Sequence, residues 1–207
     1  VARGKATKGG EVIRTRSRGV ALLLGVLALA LTSAAFTGSA RADAFTPGSR
    51  GLGDPFFPDA GNGGYDVSHY SLDLSYGPLA NQLSGTATIT ATATQNLSRF
   101  DLDLRGFSIS RLDVAGRSAT FTRDGQELII TPMVGIRAGT TFTVVVGYSG
   151  APSVVTDPDN SIEGWVPTDD GAYVVNEPQG SPGWYPVNDS PRHKATVECA
   201  IMVPAGH

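Results

Sequence analysis

The feature that most restricts how this chain can fold is a two-residue rhythm. Between Leu83 and Thr94, Ala87, Ile89, Ala91 and Ala93 fall on one side, while Thr86, Thr88, Thr90, Thr92 and Thr94 fall on the other. Successive side chains of an extended chain point to opposite faces. A segment that sorts apolar from hydroxyl-bearing residues at every step is therefore a strand with one buried face. The rhythm recurs in residues 65 to 76, with Tyr70, Leu72, Leu74 and Tyr76 opposite Asp73 and Ser75. Phe100, Leu102 and Leu104 alternate with Asp101, Asp103 and Arg105, and Val197, Cys199, Ile201 and Val203 alternate with Thr196, Glu198, Ala200 and Met202. Thr140 to Tyr148 is β-branched and continuously apolar at Val144 to Val146, the pattern of a strand covered on both faces. No stretch of residues 43–207 sustains a helical period.

The punctuation agrees. With 26 glycines and 13 prolines, turn signals fall about every ten residues. Asp124-Gly125 and Asp170-Gly171 sit between strand-like runs, the dipeptide that closes short hairpins. The expected fold class is all-β, a twisted multi-sheet or β-sandwich-like domain.

The N-terminal stretch reads as an address. Basic residues up to Arg18 lead into the apolar run Val20 to Leu31, then small residues and Ala40-Arg41-Ala42. That order is the n-region, h-region and cleavage site of a secretory signal peptide over residues 1–42. The apolar run is shorter than the roughly 18–20 residues a membrane-spanning helix needs. Export without stable membrane insertion, to a secreted or extracellular location, is the expectation. A Gly/Pro-rich lead follows at 43–64, and the β-domain occupies 65–207. Residues 43–207 hold nine Lys/Arg, scattered singly, against eighteen Asp/Glu. A surface of that sign has no basic patch to neutralise phosphates, which excludes nucleic acid as a partner.

Chemistry-bearing residues are sparse. One cysteine and three histidines cannot assemble a Cys/His metal cluster. Asp189, in Val187-Asn-Asp-Ser-Pro191, reads as a turn residue accepting backbone hydrogen bonds. His193, between Arg192 and Lys194, reads as solvated, and His69 as a strand surface residue. Cys199 has no basic neighbour to activate its thiol and reads as buried and inert. The acidic segments 54–59 and 156–160 lack a calcium-loop register. Trp165, Tyr173, Trp184 and Tyr185 would have to form an exposed platform for this to be a free-standing secreted β-sandwich that binds carbohydrate or a protein partner, the alternative to the reading below. A cell-surface structural domain is a third possibility.

Two stretches carry a resemblance. Asp54-Pro-Phe-Phe-Pro58 with Gly61-Asn-Gly-Gly-Tyr-Asp-Val-Ser-His-Tyr-Ser-Leu-Asp-Leu74 resembles the opening of secreted actinobacterial members of the aminopeptidase N family of zinc metallopeptidases. Glu177-Pro-Gln-Gly-Ser-Pro-Gly-Trp-Tyr-Pro-Val-Asn-Asp-Ser-Pro-Arg-His-Lys-Ala195 is similar to a run near the end of that family's N-terminal domain. The resemblance implies a β-rich saddle that precedes a thermolysin-like catalytic domain. It implies zinc as the cofactor of the intact enzyme and peptides as substrates. The G-x-M-E-N and H-E-x-x-H motifs that would carry catalysis are not in this sequence, so the resemblance implies a chain cut before the catalytic domain, holding no catalytic or metal-binding residue of its own. One family role carries over. A Glu twelve residues before the Asp of the D-x-P motif holds the substrate's free α-amino group, and counting back from Asp189 reaches Glu177. Where many relatives have Gln two positions before that Glu, this chain has Val175.

Overall fold

The computed structural model describes residues 44–156 and 160–205. The expected signal peptide lies outside the described residues, save that its boundary is close to the first of them. The strands are β1 (Thr46–Pro47), β2 (Tyr65–Gly77), β3 (Gln82–Ala93), β4 (Leu97–Asp103), β5 (Ser108–Val114), β6 (Arg117–Ser118), β7 (Thr120–Asp124), β8 (Glu127–Thr131), β9 (Thr141–Gly150), β10 (Val154–Thr156), β11 (Ile162–Pro167), β12 (Ala172–Val175) and β13 (Thr196–Met202). Among the described residues, helix is confined to the short 3-10 turns Pro78–Ala80 and Ser181–Gly183. The all-β expectation holds.

Three sheets form. Six strands run β13-β2-β3-β9-β5-β6, four run β1-β4-β8-β7, and three run β10-β11-β12. Neighbours are antiparallel except at two edges, where β13 runs parallel to β2 and β1 parallel to β4. The long strands β2, β3 and β9 form the body of the large sheet, and their inward rows (Leu72 and Leu74; Ala87 and Ile89; Val144 and Val146) are at most 2% exposed. The small alanines of β3 belong to one buried cluster with Phe100, Leu102, Leu128 and Ile130 of the four-stranded sheet. Tyr65, Phe100 and Phe142 meet edge to face, with Tyr65–Phe100 centroids 5.4 Å and Phe100–Phe142 centroids 5.5 Å apart, joining the two layers. Truncating one such fully buried aliphatic side chain to alanine typically costs ~2–5 kcal/mol.

Two local departures from simple alternation matter. In β2, Val67 opposes Ala91 while His69 opposes Thr90, so an extra residue bulges out. That bulge lets Tyr65 and Val67 share the buried face with Tyr70, Leu72, Leu74 and Tyr76, although the two sets are out of phase in sequence. In the β7–β8 hairpin, Asp124 pairs with Glu127, so the turn residues are Gly125-Gln126 and not Asp124-Gly125. Gly125 takes φ +61°, a conformation a residue with a Cβ adopts at a cost. The β11–β12 hairpin has the longer loop Thr168 to Gly171, closed by the Thr168 amide donating to the Gly171 carbonyl at 2.9 Å.

The lead segment is woven into this architecture. β1 pairs with β4, Arg50 bridges Asn62, and Ala60, Gly61, Asn62 and Gly63 are buried.

Candidate functional site: an exposed carboxylate on a pinned loop

Glu177 lies just past the end of β12, on the surface, ahead of the cis-linked Pro178. The loop that carries it is fastened on every side. The Glu163 carboxylate of β11 is 2% exposed and accepts a hydrogen bond from the Gln179 amide at 2.8 Å. The Trp184 indole donates to the Asn176 side-chain oxygen at 3.2 Å, and Trp184 itself is packed at 4.3 Å on Tyr185 and 5.8 Å on Trp165. Gly180 approaches so closely that a Cβ there would lie 2.4 Å from both the Gly164 nitrogen and the Val175 carbonyl oxygen. The backbone on both sides of Glu177 is thereby set while its own carboxylate faces water, with no hydrogen bond or ion pair among the described residues. A negative group held in place and left without a cation is what recognition of an ammonium group requires.

The second half of the same sequence run does something different. Val187 exchanges backbone hydrogen bonds with Asp103 at 2.7 and 3.0 Å. The Asn188 side chain accepts from the Asn62 amide at 2.7 Å and donates to the Asn62 carbonyl at 2.9 Å, and its own amide donates to the Tyr70 hydroxyl at 3.0 Å. The Asp189 amide donates to Asp103 Oδ2 at 3.0 Å, an atom that also accepts from the Gly61 amide at 3.2 Å. Asp103 Oδ1 accepts from Asn62 Nδ2 and Gln126 Nε2, both at 3.3 Å. Asp103 is thus a fully buried hub that welds the lead segment and the 187–189 loop to β4. The turn-residue expectation for Asp189 is corrected here: its backbone is the donor, and its Oδ2 is buried without a hydrogen-bond partner.

Sequence alternation did not reveal how acidic this interior is. Asp101 (5% exposed), Asp103 (0%) and Glu127 (0%) all lie within it. Burial pushes Asp103 up to about 7, although the Asp189 and Gly61 amides oppose the shift. Burial first, then the carboxylates of Asp103 and Asp101, pushes Glu127 up to about 8. Burial and then Glu163 raise Asp189 to about 7. The cation facing Glu127 is Arg50, whose Nε stands 3.6 Å from Oε1 while its Nη1 is engaged by Asp124. Arg105 is taken up by Gln126 Oε1, at 2.8 Å from Nη2.

The remaining candidates fall as follows. His69 Nδ1 meets Thr196 Oγ1 at 2.7 Å and so ties β13 to β2. His193, expected in solvent, is half-buried, with Nε2 3.5 Å from Asp66 and Nδ1 shielded without a partner. Cys199, expected to be buried, is exposed, because β13 is an edge strand whose every residue is exposed. Of the four aromatic residues expected on a sugar-binding platform, Trp165, Trp184 and Tyr185 are 4–8% exposed and pack the interior, while Tyr173 alone is exposed. Among the described residues no group of three or more His, Cys, Asp or Glu is arranged to hold a metal, and no helix is long and apolar enough to cross a membrane. Part of the 156–160 segment lies outside the described residues.

Among solved structures, this fold is similar to M1 zinc metallopeptidases over three quarters of the chain. A two-domain M1 zinc metallopeptidase, solved as a variant bound to L-arginine, is 35% identical with a TM-score of 0.70, matching 75% of this chain and 36% of that one. An M1 zinc metallopeptidase from Deinococcus radiodurans, solved as a variant with a Tyr-Ser-Ala substrate, is 35% identical with a TM-score of 0.69 over the same shares. A yeast LTA4 hydrolase in complex with bestatin, at 22% identity and a TM-score of 0.52 over 68% of this chain, shares the fold. The chain spans about a third of the length of the M1 structures it matches. No protein-family model matches the sequence, and no curated protein does.

Proposed function

We propose that this chain is the N-terminal domain of an exported zinc aminopeptidase, forming one wall of the substrate cleft and binding the peptide's free amino terminus through Glu177. The observation that carries the reading is the combination at Glu177: an unpaired, exposed carboxylate on a loop pinned from both ends, in a domain 35% identical to M1 metallopeptidases, one of them solved with a peptide substrate. The residues described here do not fit a zinc site. On this reading the metal and the hydrolytic step belong to a partner domain outside this chain, the thermolysin-like domain that the sequence resemblance implies.

Exposed apolar side chains support a partner domain. Val197, Ile201, Met202 and Val203 on and beside β13, with Tyr173, Val174 and Val175 on β12, are 39–72% exposed. Ile201 and Val203 line one cleft with Tyr76, Trp165 and Ala172, which joins the two sheet edges into one surface. Monomeric domains rarely leave such surfaces uncovered.

The test is hydrolysis of an aminoacyl chromophore and of its N-acetylated counterpart by the complete polypeptide. Glu177→Gln removes the charge without changing shape, and a charge-assisted hydrogen bond contributes about 1.5–3 kcal/mol. The expected result is a KM for free-amine substrates raised by about 10–100-fold. An unchanged KM, or hydrolysis by the present chain alone with added zinc, would defeat the proposal.

A further inference from the structure

A second concavity lies away from Glu177 and is unused by the reading above. It encloses about 390 Å³ between the β5–β6 turn, the loop after β8 and the start of β9. Its apolar wall is Met133, Val134, Ile136 and Phe142, and Arg117 and Arg137 stand in the same lining. That volume is at the small end of the range for ligand pockets.

Three observations separate this cleft from an ordinary surface dent. The first is charge. Residues 43–207 carry twice as many acids as bases, yet among the described residues the cleft lining has two arginines and no acid. Neither arginine has an ion pair among the described residues, and the nearby Asp113 is engaged by Arg111 at 2.7 Å and by Ser118 at 3.3 Å. The second is exposure: Met133 is 68% and Val134 63% exposed, so apolar surface lies open beside the guanidinium groups. The third is rigidity. Ile136 exchanges backbone hydrogen bonds with Leu97 at 2.8 and 2.9 Å, the Ala138 amide donates to Asn96 at 2.9 Å, and Gly135 lies flat on Phe45, where a Cβ would come within 2.5 Å of the ring. On the opposite rim, Ala115 and Gly116 both have positive φ (50° and 74°). Asn usually occupies the first place in such a turn, whereas here an alanine methyl in the left-handed region lines the cleft.

We propose that this preformed cleft binds an amphiphilic carboxylate, with its hydrocarbon tail on Met133, Val134, Ile136 and Phe142 and its carboxylate taken by Arg117 and Arg137. Guanidinium groups pair with carboxylates through paired N–H donors, and the apolar wall supplies the rest of the affinity without needing a specific tail. The proposal is independent of the role of Glu177.

The sequence provides its own probe, because its two methionines are Met133 in the cleft and Met202 on β13. Full chain carrying 13C-methyl methionine is titrated with decanoate below its micelle-forming concentration, and separately with decylammonium. The expected result is a saturable shift of the Met133 methyl resonance with a Kd of about 1 mM or tighter, no movement of Met202, and no saturable shift with the cation. The double substitution Arg117→Gln, Arg137→Gln, at two exposed positions, weakens decanoate binding by about tenfold or more, while an unmoved Met202 resonance reports an intact fold. Absence of a Met133 shift, equal shifts at both methionines, equal binding of the cation, or unchanged affinity in the double variant would each overturn the proposal.

Discussion

Raising the pH from 5 to 8 should destabilise this domain, because its buried carboxyl groups fold best with their protons on. Asp103 has an ordinary value of 3.8 and is pushed to about 7 in the fold, chiefly by burial. The folded state holds that proton where the unfolded chain has released it, so stability is greatest below the ordinary value and declines as pH climbs through the folded one. Each full unit of that interval is worth about 1.4 kcal/mol, so Asp103, half titrated by pH 7, alone removes roughly 2 kcal/mol between pH 5 and pH 7. Glu127, raised to about 8 partly by Asp103, extends the decline through pH 8, and the two protons leave as a coupled pair. Urea unfolding at pH 5, 6, 7 and 8 reads this directly. With a slope of about 2 kcal/mol per molar urea, the midpoint should fall by about 1.5 M or more. Asp103→Asn keeps an acceptor for the Gly61 and Asp189 amides and removes one titrating group while Glu127 and Asp189 keep theirs, so its midpoint should fall by about 1 M less than the parent's over the same range. The exposed Asp73→Asn removes the same charge from the surface and should follow the parent. A midpoint that is constant or rises from pH 5 to 8, or an Asp103→Asn variant as pH-dependent as the parent, would refute the assignment of buried, proton-retaining carboxyls.

Other expected outcomes are narrower. Glu177→Gln should leave the thermal midpoint of this chain within the range of an exposed substitution, about 0.5 kcal/mol, so that any effect on peptide cleavage reports recognition and not folding. Gly180→Ala drives a methyl into the Gly164 nitrogen and the Val175 carbonyl and should cost at least about 2 kcal/mol in urea unfolding. Gly125→Val, at φ +61° in the β7–β8 turn, should cost about 1–2 kcal/mol by the same measure. Cys199 is exposed on β13, with its thiol pushed up by partial desolvation. It should react with an aromatic disulfide reagent at pH 8.5 in this chain and about tenfold more slowly in a protein that includes a docked partner domain.

How far the fold could be read from the residues depended on how far apart the interacting groups lie in the chain. Period two in β3 and β9 identified both strands and their buried faces because the deciding contacts are repeated at every second residue. The same logic identified β13 as a strand and then misplaced Cys199, since alternation shows that a segment is extended and says nothing about whether another layer covers it. Asp101 and Asp103 illustrate the opposite limit. Beside Phe100, Leu102 and Leu104 they look like the wet side of a strand, yet Asn62 and Gly61 from the lead and Asp189 from a loop 86 residues away close over Asp103. The signal for that cover is weak but physical: Asn62, Asn188 and Gln126 are amide side chains that can satisfy a buried carboxyl, and all three are used there or next to it. The run from Glu177 to Ala195 was the most informative segment, and the structure divides it. Its Asn-Asp end is scaffold, holding the lead against β4, and its Glu end is surface, held still by Glu163, Trp184 and Gly180. The role proposed for Glu177 needs a carboxylate that is rigid and unpaired at once, and the hydrogen bonds that fix the loop, from Gln179 to Glu163 and from Trp184 to Asn176, bypass Glu177 itself.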